Sequence, residues 1–227
     1  MFTEAEFVRR VQFTNVLPDT TREQIREHCE IAARCGFQAV MLQPCWIRLA
    51  KELLAGTGIK VASAIAYPMG GETTAMKVAL ARAVVEEGAD EFDFQPNIGF
   101  LRSGMLAEFI EEIRQIVEAA DGRPVKSMSE FGFLNTEERI LCLALAEEAG
   151  VAYVKNSSGI GAGGSAATVG TIRFMRAHLR GETRIKASGG IRTYDGAVAL
   201  LEAGADLLGS SSANALLEGL TTVDGAY

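Results

Sequence analysis

Short runs of β-prone residues follow glycines along the chain, and each glycine ends a helix-like stretch. Glycine ends a helix readily because it adopts the left-handed backbone conformation without a steric penalty. The runs that follow glycines are AVML at 39–42, IKVASAI at 59–65, DEFDF at 90–94, PVKSM at 124–128, VAYVK at 151–155, TRIKAS at 183–188 and DLLGS at 206–210. With the earlier run VQFTN at 11–15, the pattern predicts about eight strand–helix units.

The segments between these runs have the apolar periodicity of amphipathic helices. Thr20 followed by Glu23 predicts a capping box at the start of one helix, and Asn135 followed by Glu138 predicts another. The segment at 105–120 carries an apolar stripe that consists of Leu106, Phe109, Ile110, Ile113 and Val117. Strands therefore alternate with helices along the chain.

Alternating strands and helices imply a parallel sheet with right-handed crossovers. Such a sheet is either open and doubly wound or closed into a (β/α)₈ barrel. The barrel is favoured because the units are compact, no GxGxxG motif follows the first run, and polar residues follow many runs instead of one. No linker or charge block divides the chain, so we predict a single TIM-barrel domain over residues 1–227.

Composition and charge narrow the range of partners. Of the 227 residues 48% are hydrophobic, as in globular proteins, and the formal net charge is −7. An acidic chain lacks the basic field that attracts nucleic acid or an anionic membrane, so we expect neither as a partner. The four cysteines have no CxxC spacing, and we find neither a signal-peptide pattern nor an apolar run of about 20 residues. We therefore expect a cytoplasmic protein.

Lysines occur on three consecutive runs, as Lys126, Lys155 and Lys186, and Asp93 lies on the run before them. A salt bridge or a solvated edge would explain one strand lysine. Three are harder to explain in this way, because parallel strands are normally apolar on both faces. If the amines point into the barrel, desolvation and mutual repulsion lower the pKa of at least one of them. A neutral amine is the nucleophile that Schiff-base chemistry requires.

Side chains alternate along a strand, which places further polar residues beside these groups. Gln95 and Asn97 share a face with Asp93, and Glu130 shares a face with Lys126. These residues are therefore candidates for the same site.

Glycine-rich stretches follow the last three runs, at 157–166, 188–193 and 209–214. Backbone N–H groups in such loops, with a helix N-terminus behind them, bind anions without many cations. Barrels often hold phosphate with the loops after strands seven and eight. Three such loops in succession predict a phosphorylated ligand.

Other kinds of chemistry lack suitable residues. The histidines, His28 and His178, both fall in helical segments, so a histidine-rich metal site of the zinc-aldolase type is not expected. No GxSxG motif or Cys/His pairing indicates an acyl-transfer nucleophile.

The chain contains two characteristic segments, VKNSSG at 154–159 and KASGGIRT at 186–193, and the second begins about thirty residues after the first. Together with GADEFDFQPNIG and AIAYPMGGETT, they make the chain similar over nearly its whole length to the deoxyribose-phosphate aldolases, which are class I (Schiff-base) aldolases. The resemblance implies a TIM barrel that cleaves 2-deoxy-D-ribose 5-phosphate reversibly to D-glyceraldehyde 3-phosphate and acetaldehyde. It further implies a homodimer that needs no metal or organic cofactor.

The resemblance also implies catalytic roles for four residues. Lys155 corresponds to the lysine that forms the imine, and Lys186 to the lysine that perturbs that amine and joins the proton relay. Asp93 corresponds to the acidic residue that orients water and the second lysine. Tyr227 corresponds to a C-terminal tyrosine that assists proton transfer.

The resemblance and the strand and loop positions together predict a substrate site. Phosphate contacts map onto Gly159, Gly189, Gly190, Gly209, Ser211 and Ser212. The other predicted substrate-binding residues are Gln12, Thr14, Asn97, Lys126, Glu130 and Ser158.

Five positions depart from the family pattern. Gln12 stands where aspartate, which helps to bind the sugar, is usual in the first strand. Gln43 and Gln95 replace residues that are commonly apolar or aromatic, and Phe131 and Asn156 each stand where threonine is common. We interpret these departures as an altered pocket wall around intact imine-forming residues.

Three functions follow from this interpretation. The first is cleavage of deoxyribose 5-phosphate. The second is a related Schiff-base aldolase that acts on another phosphorylated sugar or aldehyde donor. The third is a barrel without catalytic activity that binds a sugar phosphate. All three have a small phosphorylated sugar as the ligand.

Overall fold

The computed structural model describes residues 2–160, 164–213 and 215–217. Its strands form a closed parallel barrel in chain order, which confirms the predicted TIM barrel. The sheet closes because β1 pairs with β2 on one side and with β8 on the other, which excludes the open sheet. The strands are β1 Val11–Asn15, β2 Ala39–Leu42, β3 Lys60–Ile65, β4 Glu91–Phe94, β5 Val125–Met128, β6 Tyr153–Lys155, β7 Arg184–Ser188 and β8 Leu207–Ser210.

The helices surround the barrel and pack apolar side chains against the outward faces of the strands. Short 3₁₀ helices, Pro44–Trp46 and Phe131–Phe133, follow β2 and β5. The described α-helices are α1 Glu4–Val8, α2 Arg22–Cys35, α3 Ile47–Leu53, α4 Thr74–Glu86, α5 Ile98–Arg102, α6 Leu106–Ala119, α7 Thr136–Glu148, α8 Val169–His178 and α9 Tyr194–Glu202.

Helix α2 begins one residue later than its sequence predicts. Thr21 is the N-cap, and its hydroxyl accepts from the backbone N–H of Gln24, whose side chain accepts in return from Thr21 N–H. The capping box predicted at Thr20 is wrong because the Thr20 hydroxyl donates instead to Asn15 Oδ1 at 2.8 Å. The box predicted at Asn135 is confirmed.

The interior of the barrel has two unlike halves. TIM-barrel interiors are usually filled with branched apolar side chains. Here β2 and β3 contribute a small apolar cluster, whereas β4 to β7 contribute buried charged groups. The apolar cluster is Ala39, Met41, Ala62 and Ala64, and the charged residues are Glu91, Asp93, Lys126, Lys155 and Lys186. Alanine side chains leave interior volume that long lysine side chains can occupy.

Helices α4 and α6 are joined by a fully buried ion pair. Lys77 Nζ lies 2.8 Å from Glu112 Oε1, and both side chains are 0% exposed. The same oxygen accepts from the backbone N–H of Asn97, which follows β4. Glu112 therefore stands in the buried stripe of α6 that the sequence assigned to apolar residues, and it fixes the loop at the end of β4.

We expect Glu112→Ala to lower the free energy of unfolding by about 3–5 kcal/mol, because Lys77 would remain buried without a counter-charge. The double variant Lys77→Met/Glu112→Leu should recover most of that loss, since an apolar pair replaces the ion pair. Urea unfolding measures both. Glu111→Ala, on the exposed face of the same helix, is the control and should change stability by less than about 0.5 kcal/mol. Equal losses for Glu111→Ala and Glu112→Ala would contradict the assignment.

Candidate active site

A cavity of about 480 Å³ opens at the carboxyl ends of the strands, where TIM barrels place their active sites. The ends of β1, β6, β7 and β8 and the loops that follow them form most of its wall, and Lys155 is among the lining residues. The predicted site residues that line the cavity are Thr14, Lys155, Ser158, Gly159, Gly189, Gly190, Gly209, Ser211 and Ser212.

Lys155 and Lys186 meet at one carboxylate oxygen. Lys155 Nζ lies 3.1 Å from Asp93 Oδ2, and Lys186 Nζ lies 2.7 Å from the same oxygen. The side chain of Lys155 is 7% exposed and lines the cavity, whereas that of Lys186 is 1% exposed behind it. A proton shared between the two amines can pass by way of Asp93 while Lys155 lines the cavity.

Lys126 lies below this pair and is fully buried. Its Nζ is 2.9 Å from Glu91 Oε2 and 3.5 Å from Asp93 Oδ1. Burial opposes the charged amine, but Glu91 and Asp93 outweigh that effect and raise the pKa of Lys126. Lys126 is therefore a fixed positive charge beneath the site.

The lysines and carboxylates perturb one another strongly. Burial alone would raise the pKa of Asp93, but Lys186, Lys155 and Lys126 hold it far below its ordinary value. Burial lowers the pKa of Lys186 to about 7; Asp93 opposes this shift, and Lys155 and Lys126 add to it. Lys186 can therefore be neutral in the physiological range, in agreement with the expectation of a neutral amine in the cluster.

Four of the predicted substrate-binding residues do not line this cavity. Gln12 and Lys126 are buried beneath it, each in contact with a charged group of the cluster. Asn97 caps α5, and its side-chain oxygen accepts from Phe100 N–H. Glu130 is 2% exposed and accepts from the backbone N–H of Ser158. Glu130 thus supports the loop after β6 from below, and burial raises its pKa.

The departures from the family pattern also lie outside the cavity wall, which corrects their interpretation as pocket changes. Asn156 Oδ1 accepts from Ser188 N–H at 2.8 Å, and Asn156 Nδ2 donates to Ser188 O at 2.9 Å. Asn156 therefore ties the end of β6 to the end of β7. Gln43 Nε2 donates to Val16 O, and Gln95 Nε2 donates to Met128 O.

Phe131 is 2% exposed and packs edge-on against Phe174 of α8, with ring centroids 6.0 Å apart. Like Gln43, Gln95 and Asn156, it supports backbone and helix packing around the cavity and does not form the wall itself.

The cavity also contains residues that the sequence prediction missed. Tyr67 follows the end of β3, and its hydroxyl donates to Ser158 O at 3.0 Å; burial raises its pKa to about 12. His28 on α2 stacks on Phe13, and burial lowers its pKa to about 4. Arg192 lies in the KASGGIRT motif and supplies a positive charge at the rim.

A sequence signal existed for two of these residues. Tyr67 comes two residues after the end of β3, and Arg192 belongs to a glycine-rich loop that the sequence assigned to phosphate binding. No pattern distinguished His28 from an ordinary helix-packing residue. Tyr227 lies outside the described residues, so its role stays a prediction.

Comparisons with known proteins give the family. The model of the DeoC/LacD family of aldolases matches residues 12–221. The chain belongs to this family. A deoxyribose-phosphate aldolase from Thermococcus gammatolerans is 41% identical over 94% of this chain and 96% of its own length, and one from Dictyoglomus turgidum is 38% identical over 95% and 97%. The tetrameric deoxyribose phosphate aldolase from Aeropyrum pernix has a TM-score of 0.88 at 28% identity, with coverage of 97% and 93%.

A side chain at Gly209 on β8 would crowd both Ser188 and Lys186. A Cβ at Gly209 would lie 2.9 Å from Ser188 Oγ and 3.2 Å from Lys186 Cε. We therefore expect Gly209→Ala to displace Lys186 and to lower aldolase kcat by about tenfold or more, since small misplacements of catalytic groups are costly. Steady-state kinetics with a melting curve check this.

Gly71→Ala is the matched control, because a Cβ at Gly71 meets nothing within 4 Å. It should keep the activity of the unaltered protein. Full activity of Gly209→Ala, with a normal melting temperature, would contradict the close approach to Lys186.

Proposed function

We propose that this protein is a class I aldolase that cleaves 2-deoxy-D-ribose 5-phosphate reversibly to D-glyceraldehyde 3-phosphate and acetaldehyde. The observation that carries the proposal is the position of Lys155, whose Nζ faces the cavity and lies 3.1 Å from an Asp93 oxygen shared with Lys186. The names of the relatives support the choice of substrate.

The phosphate group binds at the rim formed by the loops after β6, β7 and β8. Gly189 and Gly190 have φ values of 93° and 73°, a region that favours glycine, and this conformation lets backbone N–H groups approach an anion. Arg192 adds charge at the same rim, and the hydroxyls of Ser211 and Ser212 are available as donors. Local geometry thus compensates for the acidic net charge of the chain.

The reaction begins when neutral Lys155 Nζ attacks the aldehyde carbon of the open-chain sugar to give a carbinolamine. Lys186 returns the proton that it took from Lys155 to the carbinolamine hydroxyl, and loss of water then gives an iminium ion. The iminium draws the electron pair of the bond between C2 and C3 as the C3 hydroxyl passes its proton to a water held by Asp93 and Lys186. Glyceraldehyde 3-phosphate leaves, and an enamine of acetaldehyde remains on Lys155. Protonation of the enamine carbon and hydrolysis release acetaldehyde and free the lysine.

Proton transfers fall to groups next to Lys155. Lys186 accepts the proton that Lys155 must lose before its attack, because both amines contact Asp93 Oδ2. A water held by Asp93 and Lys186, or the hydroxyl of Tyr227, then donates a proton to the enamine carbon. Positioned proton donors of this kind contribute about 10²–10⁴-fold to rates.

Assembly and location complete the proposal. We propose that the protein forms a homodimer. Support comes from Met76 and Leu80, which lie one turn apart on α4 and form an exposed apolar patch. We propose a cytoplasmic location, which the four free thiols support because reduced cysteines are typical of the cytosol. In the part of the chain that the structure describes, no helix is long and apolar enough to span a membrane.

We expect borohydride reduction in the presence of deoxyribose 5-phosphate to attach the two-carbon fragment covalently to Lys155, with peptide mass mapping as the measurement. Lys155→Leu should abolish the adduct and the cleavage activity while the melting curve stays cooperative. Lys51→Leu, which removes an exposed lysine paired with Asp90, is the control and should retain both.

An adduct on Lys126 or Lys186 would contradict the assignment of Lys155. An adduct that forms only with another phosphorylated sugar would favour the related aldolase. No adduct with any member of a substrate panel would favour the non-catalytic barrel.

A further inference from the structure

Gln12 lies beneath the cavity, where its side chain contacts the buried Lys186 and does not line the cavity. Its side chain on β1 is fully buried, and its Oε1 lies 2.5 Å from Lys186 Nζ. Thr14, two residues further along the strand, is the first side chain of β1 that lines the cavity. The side chain of Gln12 therefore has a role other than direct contact with the sugar.

The orientation of the Gln12 amide is fixed by its other end. Nε2 donates to Glu91 Oε1 at 3.0 Å and to Gln38 Oε1 at 2.9 Å. Gln38 Nε2 donates in turn to the same Glu91 oxygen at 2.8 Å. Lys126 holds the pKa of Glu91 below its ordinary value against burial, so Glu91 is an acceptor at neutral pH. Gln12 Oε1 must consequently be the atom that faces Lys186.

These contacts close a ring of side chains inside the barrel. Two lysines and two carboxylates of the ring are ionisable, and Lys155 contacts the ring through Asp93. Gln12 is the neutral member. In order, the ring is Lys186, Asp93, Lys126, Glu91 and Gln12.

Over the residues that the structure describes, the amines of the cluster outnumber the carboxylates in contact with them by one. From β4 the neighbours are Asp93 and, through Gln12, Glu91; from β5 and β6 they are Lys126 and Lys155. β8 presents Gly209, which has no side chain. Within 4 Å the three amines thus share two carboxylates, while Glu130 acts on Lys155 from farther away. Protonating all three amines would leave one buried charge without a carboxylate in contact.

We propose that Gln12 is a positioning residue: its neutral oxygen aligns Lys186 without supplying the third counter-charge that would keep every amine of the cluster protonated. The proposal rests on the Schiff-base function proposed above. An amide oxygen attracts an ammonium group less than a carboxylate does. Gln12 therefore aligns Lys186 and still lets it exist as the neutral amine that receives the proton of Lys155.

Gln12→Glu and Gln12→Met test this role in opposite directions. A carboxylate at position 12 would contact Lys186, and such a contact raises the pKa of an amine by about 1–3 units. Gln12→Glu should therefore move the acidic limb of the pH profile of kcat/KM to higher pH by about one unit or more. Activity at neutral pH should then fall by about tenfold and return at alkaline pH. Gln12→Met removes an acceptor from the ammonium form and should move the limb down.

The matched control is Gln115→Glu, which makes the same change in charge on α6, where Gln115 contacts Glu111. It should leave the profile in place. A limb that stays unshifted in Gln12→Met, or that moves down in Gln12→Glu, would overturn the proposal. If Gln12→Glu fails to melt cooperatively, the profile of Gln12→Met decides.

Borohydride trapping of the unaltered protein distinguishes a failure of the role of Gln12 from a failure of the Schiff-base function. An adduct on Lys155 in the unaltered protein, with unshifted limbs in both variants, would remove only the role of Gln12. Absence of any adduct in the unaltered protein would remove the Schiff-base function on which the proposal rests.

Discussion

Asp93 Oδ2 accepts hydrogen bonds from Lys155 Nζ at 3.1 Å and from Lys186 Nζ at 2.7 Å. Lys126 Nζ lies 3.5 Å from the other oxygen of the same carboxylate. Charged groups inside a protein persist only when they are paired, because removal from water is expensive. Glu91 supplies a second carboxylate through its 2.9 Å contact with Lys126. Among the described residues no further carboxylate lies within 4 Å of these amines, so the cluster favours one neutral amine, which is the reagent that imine formation needs.

The register of the barrel produces this arrangement. Lys155 pairs with Lys186 across β6 and β7, and Asp93 pairs with Lys126 across β4 and β5. A slip by one residue would turn each of these side chains toward the helices. The outward-facing apolar residues of the same strands prevent such a slip, because they are buried against the helices. The hydrophobic core thus fixes the electrostatics of the site.

The sequence predicted the fold well because the two patterns that indicate a strand–helix unit are both local. A helix that ends at glycine and a short apolar run that follows depend on neighbouring residues only, and each predicted run contains an observed strand. The N-cap of α2 is Thr21 and not the predicted Thr20, because the Thr20 hydroxyl donates to Asn15, and no local pattern contains that contact. Glu112 was missed for the same reason, since its partner Lys77 lies on another helix.

The site was predictable in part. The lysines and glycine-rich loops were found because parallel strands bring successive strand ends together. The places of Gln12 and Asn156 were not found, because an amide can face a ligand or a buried neighbour and only the three-dimensional packing distinguishes these. Both amides support the site from beneath or between its loops.

Neutron diffraction of the deuterated protein at mildly alkaline pH tests the central claim most directly, because it counts the deuterons on each amine. The account predicts that the Nζ of either Lys155 or Lys186 carries two deuterons while the Nζ of Lys126 carries three. Three deuterons on every one of these amines would contradict it.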